Sequence, residues 1–312
     1  MRRTFVLAWR LHRVELGAVS FSSVAIALAW LGIAANLGET HRQCLAIGTH
    51  VAPCGGPAAV GQYFTDATQN AQMVAPFAGA LPFVAGVVLG VPLASRELEH
   101  RTAHLAWPMA GSRVRWLVLR LVPVALLGLL ALAPAALAGE VMTRNFYPLT
   151  DPGANFEHYG IRGPVLIARF IPALLLGAVV GLLVGRQLPA LLVAGAFVAG
   201  MGAGLSVLRP FGATPVERPS RFLEQPVGVG NLYVGIVYRD SAGNLIPEER
   251  AWELLGVPED QVDPDVLPRE TFLVILGERY HEIVAREVGV IGLGSIVLGA
   301  GLVATARKRR PG

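Results

Sequence analysis

Residues 95–116 read "SRELEHRTAHLAWPMAGSRVRW". Six charged side chains and two histidines crowd this stretch, yet the residues on both sides are almost wholly apolar. "VAPFAGALPFVAGVVLGVPLA" ends at Ala94, and "WLVLRLVPVALLGLLALAPAALA" begins at Trp116. Each flank is about 20 residues, the length a helix needs to cross roughly 30 Å of hydrocarbon. The charged stretch therefore reads as a short connection between two membrane spans.

The same pattern repeats along the 312 residues. The chain is 53% hydrophobic and 15% charged, where a soluble domain carries about 25% charged residues. Apolar runs predict six spans, near 16–35, 73–94, 116–138, 164–185, 188–207 and 288–306. Gly and Pro are frequent within them, as membrane helices tolerate. Lys and Arg concentrate before span 1, in residues 95–115, at Arg186 and in the tail Arg307–Arg310. Acidic residues concentrate in residues 36–72, 139–163 and 208–283. Excess Lys and Arg marks the cytoplasmic side, so both termini are expected there. The fold class is thus an all-α polytopic membrane protein of six transmembrane helices, with both termini cytoplasmic. A small α+β extracytoplasmic insertion is expected between helices 5 and 6.

The domain organisation follows. Residues 1–15 form an amphipathic, basic interfacial helix; a twin-arginine signal at Arg2-Arg3 is the competing reading, but five further spans and no cleavage site argue against it. Residues 16–207 hold spans 1–5, residues 208–283 the insertion, and residues 284–312 span 6 with a basic tail. Within the insertion, "NLYVGIVYRDSAGNLIP" reads as two strands around a turn, "PEERAWELLG" as a helix, and "ETFLVILGERYHEIVARE" as a helix returning to the membrane. The small residues Gly200, Gly202 and Gly204 suggest close helix packing.

Several chemistries are excluded. A P-loop requires a lysine that reaches the β and γ phosphates. The chain's single lysine, Lys308, lies between Arg307 and Arg309, so nucleotide-driven work needs another chain. Proton-coupled carriers keep acids at membrane depth, and the central turns of these spans have none. Arg120 and Arg169 lie about one turn inside spans 3 and 4. Snorkelling to the surface is the simpler reading, and a polar path through Arg120, Arg169 and Glu287 is the alternative. His100 and His104 have zinc-ligand spacing, but Arg101 stands where a metalloprotease has its glutamate, so no metal site and no catalytic residue is expected. Cys44 and Cys54 share the first outer loop, where an oxidising compartment would allow a disulfide.

The opening stretch fits a helix over 95–107. Leu98, Thr102 and Leu105 share one face, Glu97 and Arg101 have i,i+4 spacing, and Pro108 stops the helix. Ser112 can cap the helix of span 3. A rigid charged elbow held between two spans suits a docking surface better than a solvated loop.

With its flanks, "GVPLASRELEHRTAHLAWPMAGSRVRWLVLRL" resembles the cytoplasmic signature of permease subunits of ABC-2-type ABC transporters, in their actinobacterial branch. The resemblance is carried by Gly90, Pro92, Leu93, Arg96, Glu97, Glu99, Thr102, Leu105, Ala106, Trp107, Arg113, Arg115 and Trp116. It extends to Phe156, Gly160 and Pro164 before span 4. The chain departs from the pattern at Arg101, which replaces a glycine, and at Pro108-Met109-Ala110; Glu287 is a loose match to a family glutamate near the last span.

The resemblance implies that the segment between spans 2 and 3 is a coupling helix seated in a groove of a separate ATPase subunit. Arg96, Glu97, Glu99, Arg101 and Thr102 would then supply polar contacts, and Leu98, Leu105 and Trp107 the apolar anchor. It also implies an exporter of two permeases, this one with a second copy or homologue, and two ATPases. No cofactor is expected in this chain; ATP and Mg would bind the partner. The expected location is the bacterial plasma membrane, in contact with lipid and without a nucleic-acid partner. A different class of function, a membrane scaffold that binds a partner through the same loop without transporting, shares the spans but not the response to ATP.

Overall fold

The computed structural model describes residues 2–46, 58–100, 102, 111–146, 151–208, 212–219, 230–240, 242–255 and 269–308. Nine helices and four strands fall within them. Helix α1 runs Arg2–Ala46, with a non-helical break at His12 (φ −116°, ψ 19°). Helix α2 (Ala58–Gly90) is followed after Val91 by the short α3 (Pro92–Glu99). Helix α4 spans Arg113–Phe146. The fourth apolar run is split at Arg169 into α5 (Gly163–Ala168) and α6 (Phe170–Val184). Helix α7 covers Gln187–Leu208, and α9 covers Tyr280–Lys308. Six stretches are long and apolar enough to cross a membrane: Phe5–Glu39, Asp66–Glu99, Arg113–Phe146, Gly163–Val184, Gln187–Ser206 and Gly277–Lys308. These are the six expected spans, most of them longer than hydropathy alone suggested. The cysteine pairing lies outside the described residues, because Cys54 and the side chain of Cys44 do.

One core joins α1, α2, α4, α6 and α9 around Leu89, Leu117, Leu132, Phe170 and Leu174. A second, nearer the insertion, holds Trp30, Met142 and Phe146. Helices α2 and α6 approach each other closely along their backbones. A Cβ on Gly90 would overlap the Leu174 carbonyl, one on Gly181 the Val91 carbonyl, and one on Gly86 would stand 2.5 Å from the Ala173 Cβ. Without a hydrophobic force between helices in lipid, such small-residue seams let van der Waals contact hold them. This corrects the expectation for Gly200, Gly202 and Gly204. Gly200 and Gly204 would meet nothing within 4 Å, and Gly202 only the Phe83 ring at 3.8 Å.

Between α7 and α9 lies an α+β insertion. Strands β1 (Val216–Pro219), β2 (Leu232–Arg239), β3 (Leu245–Ile246) and β4 (Arg269–Ile275) form an antiparallel sheet in the order β1-β4-β2-β3. The expected hairpin is present, with Tyr238 opposite Ile246. The helix α8 (Glu248–Leu255) follows it and lays Trp252 against Tyr238. The expected helix through "ETFLVILGERYHEIVARE" is corrected, because its first half is β4. The run Thr271-Phe-Leu-Val-Ile suits a strand, and Tyr233 and Ile236 of β2 pair it at Val274 and Phe272. A helical turn at Gly277–Arg279 then opens α9.

Candidate functional site

Residues 92–102 form an elbow at one end of the bundle. Pro92 occupies the first turn of α3, where its missing N–H costs nothing. Pro92, Leu93, Ala94 and Ser95 are buried, and the Ser95 hydroxyl donates to the Val91 carbonyl at 2.8 Å. The helix stops at Glu99, because the Thr102 N–H returns to the Glu97 carbonyl five residues back, at 2.9 Å. The expected bounds of 95–107 are therefore corrected at both ends, to Pro92 and Glu99. Arg101, Leu105 and Trp107 lie outside the described residues. Ser112 caps α4 as expected, its hydroxyl accepting from the Arg115 N–H at 3.1 Å.

Arg96, Glu97 and Glu99 bond to other helices. Arg96 forms an ion pair with Glu15 of α1 at 2.6 Å and donates to the Leu11 carbonyl at 2.9 Å. Glu97 forms an ion pair with Arg120 of α4. The Arg120 guanidinium also lies 4.8 Å from the Trp116 ring centre. Glu99 accepts from the Gln187 N–H at the start of α7, at 2.9 Å. Leu98 packs on the main core. Three polar ties thus fasten the elbow to the first, third and fifth spans. Glu99, His100 and Thr102 are the exposed residues of its described part. The charge of Arg120 is met by Glu97 at the elbow.

At the opposite end, two arginines organise the loop that enters span 4. Arg162 is 1% exposed. It forms an ion pair with Glu140 of α4 at 2.7 Å and donates to the carbonyls of Pro152, Asn155 and Glu157. Its guanidinium also faces the Tyr280 ring at 5.0 Å. Arg169, at the break between α5 and α6, donates to Glu287 of α9, with Nη2 to Oε1 2.6 Å and Nε to Oε1 2.8 Å. The Tyr159 hydroxyl donates to the other Glu287 oxygen at 2.6 Å, and Arg169 donates to the Gly160 carbonyl at 3.0 Å. Glu287 is fully buried. One earlier expectation is corrected here: Arg169 does not snorkel. Glu287 lies about two turns into α9, because that helix begins at Tyr280 rather than near residue 288. Arg169 and Glu287 meet, whereas Arg120 belongs to the elbow, so the three do not form one path. Sequence reasoning passed over Arg162 and Tyr159 because their partners are spread over several elements.

His158, beside this cluster, holds a left-handed backbone (φ 57°) that non-glycine residues rarely adopt. Its ring packs 5.2 Å from Phe146 and 6.2 Å from Trp30, with the Thr143 hydroxyl 3.4 Å from Nδ1. Burial first, and then the Arg162 charge, lower its pKa to about 4.

Six stretches long and apolar enough to cross a membrane mark a multi-pass membrane protein. The chain belongs to the family described as ABC-2 membrane transporter related, whose model matches residues 16–209. Members of that family are generally non-catalytic membrane subunits that associate with an ABC ATPase. No curated protein and no solved structure matches the chain.

Proposed function

We propose that this chain is the permease subunit of an ATP-driven exporter, and that α3 with the turn after it is the segment through which a separate ATPase acts. The observation that carries the reading is the inward wiring of the elbow. A docking segment transmits force only if it is fixed to the elements it must move. Arg96–Glu15, Glu97–Arg120 and the Glu99–Gln187 contact supply that fixing for three spans. Arg96, Glu97 and Glu99 accordingly position the elbow, while His100 and Thr102, exposed at its tip, face the ATPase. The excess of Lys and Arg before span 1, in residues 95–115 and in the tail supports a cytoplasmic elbow and cytoplasmic termini, with the insertion outside the bacterial plasma membrane. Six spans are half of a transporter, so the assembly contains two permeases and two ATPases, with ATP and Mg on the latter.

The test is co-purification of the tagged chain from native membranes with assay of ATPase activity on the eluate. An ATPase is expected at about equal stoichiometry. Glu97→Arg should lower transport-linked ATP hydrolysis at least tenfold, and the exchanged pair Glu97→Arg with Arg120→Glu should recover most of it. Elution without an ATPase would sink the reading and favour the scaffold. Failure of the exchanged pair to recover activity would instead give Glu97 a direct contact with the partner.

A further inference from the structure

The fourth span joins the two ends of the molecule differently from its neighbours. At the elbow end, Gly177 and Gly181 of α6 lie against the backbone of Gly90 and Val91, where α2 turns into α3. The turn after α6, at Gly185 (φ 72°), leads within two residues to Gln187, whose N–H is held by Glu99. At the other end, Val165 of α5 enters a core with Phe156, Tyr159, Ile275, Tyr280 and Ile283. That core mixes the loop before span 4, the end of β4 and the start of α9. The loop is also bonded to the sheet: the Phe156 N–H donates to the Gly230 carbonyl at 2.7 Å. Gly277, after β4, donates to Asn231 Oδ1 at 2.9 Å and leaves no room for a Cβ against the Ala154 carbonyl.

Helix α9 also enters that core at Tyr280 and Ile283 and meets the main core at Leu302 and Ala306, but its middle, like α7, is far less covered than span 4. Leu188, Leu192 and Phe197 of α7 are 72%, 71% and 61% exposed, and Leu293, Ile296 and Val297 of α9 are 68%, 70% and 70% exposed. Within one chain, α7 and the middle of α9 have little to push against. Among the described residues, span 4 is packed along its backbone on the elbow at one end and on the base of the sheet at the other. Its break at Arg169 is bridged to α9 by a buried ion pair whose carboxylate also holds Tyr159.

We propose that span 4 is the rod that carries elbow movement to the inserted domain, and that Arg169, Glu287 and Tyr159 are the positioning residues that make the rod stiff across its break. The inference rests on the reading of the elbow as the ATPase contact. A broken helix alone would flex where α5 meets α6. A fully buried carboxylate taking donors from both the break and the preceding loop fixes that joint, because releasing either donor leaves a charge uncompensated in an apolar surrounding. The inserted domain is then a moving part of the export cycle.

The experiment is hydrogen exchange on the permease with its co-purified ATPase in lipid nanodiscs, with and without ATP and vanadate. In the native complex, exchange is expected to change at least twofold on trapping, both in the elbow (residues 92–102) and in the insertion (residues 230–239 and 269–279). Glu287→Gln should keep the elbow change and the ATPase activity but lose the change in the insertion. Arg169→Glu with Glu287→Arg should restore it. Tyr159→Phe, which removes one hydroxyl and keeps the ring packing, should weaken it at least twofold and serves if the charge variants do not fold. An insertion change that persists in Glu287→Gln, or that keeps its full size in Tyr159→Phe, overturns the inference. So does a native complex whose elbow responds while the insertion does not. A native complex in which the elbow itself does not respond overturns the functional reading beneath it.

Discussion

His158 shows how one residue records conditions on its side of the molecule. Its ring is held between Phe146 and Trp30, close to the Arg162 cation, in a left-handed backbone that only a surrounding structure can enforce. The folded state keeps the imidazole neutral down to about pH 4, while an unfolded chain protonates it near pH 6.5. The stability this contributes is complete above pH 6.5 and declines as the pH falls from 6.5 towards 4, by up to about 1.4 kcal/mol per pH unit. Thermal melting of the detergent-solubilised protein should therefore drop across that window. His158→Asn, which tolerates the left-handed backbone, should flatten the profile there and leave the rest of the curve in place. Little of this was legible in the sequence, where His158 is one of seven histidines. The same holds for Arg96, Glu97 and Arg169: their charge was visible, but their partners lie 81, 23 and 118 residues away, and only packing selects them.

At the scale of elements, hydropathy and length gave the helices, since an apolar run of about 20 residues has one economical use in a membrane. They did not give the strand β4. A short, mostly apolar run such as 271–275 satisfies helix and strand alike, and its β2 partner decides. They also did not tell which glycines matter. Gly86–Gly90, Gly177–Gly181 and Gly200–Gly204 all have small residues four apart, and only the opposing backbone separates them. The seam between α2 and α6 makes a sharp prediction. Gly181→Val must displace the Val91 carbonyl, an overpacking that costs about 1–3 kcal/mol or more. Its yield and melting temperature in fluorescence-detected size exclusion should fall. Gly200→Ala has open space and should behave as the native chain does; equal behaviour of both variants would mean the seam is not packed as described.

The whole molecule is a bundle with a polar elbow at one end and an α+β cap at the other. Its charge asymmetry predicts opposite sides for the two. Single cysteines introduced at His100 and at Leu245, both exposed, in a chain whose Cys44 and Cys54 are replaced by serine, should report this directly. In intact cells an impermeant maleimide should label Leu245→Cys, and His100→Cys only after the membrane is opened. The reverse pattern would invert the topology and move the ATPase contact away from the elbow.

The glycine seam has a consequence for how the chain is assembled. It joins α2, which precedes residues 103–110, to α6, which follows them, through backbone atoms that neither lipid tails nor detergent can replace. Covalent continuity between the two halves is then not what holds them together. Residues 1–105 and 106–312, made as separate polypeptides in one cell, should find each other in the bilayer and co-purify through a tag on either piece. Gly181→Val in the second piece should weaken the pairing, which the packing of α1 on α4 also supports.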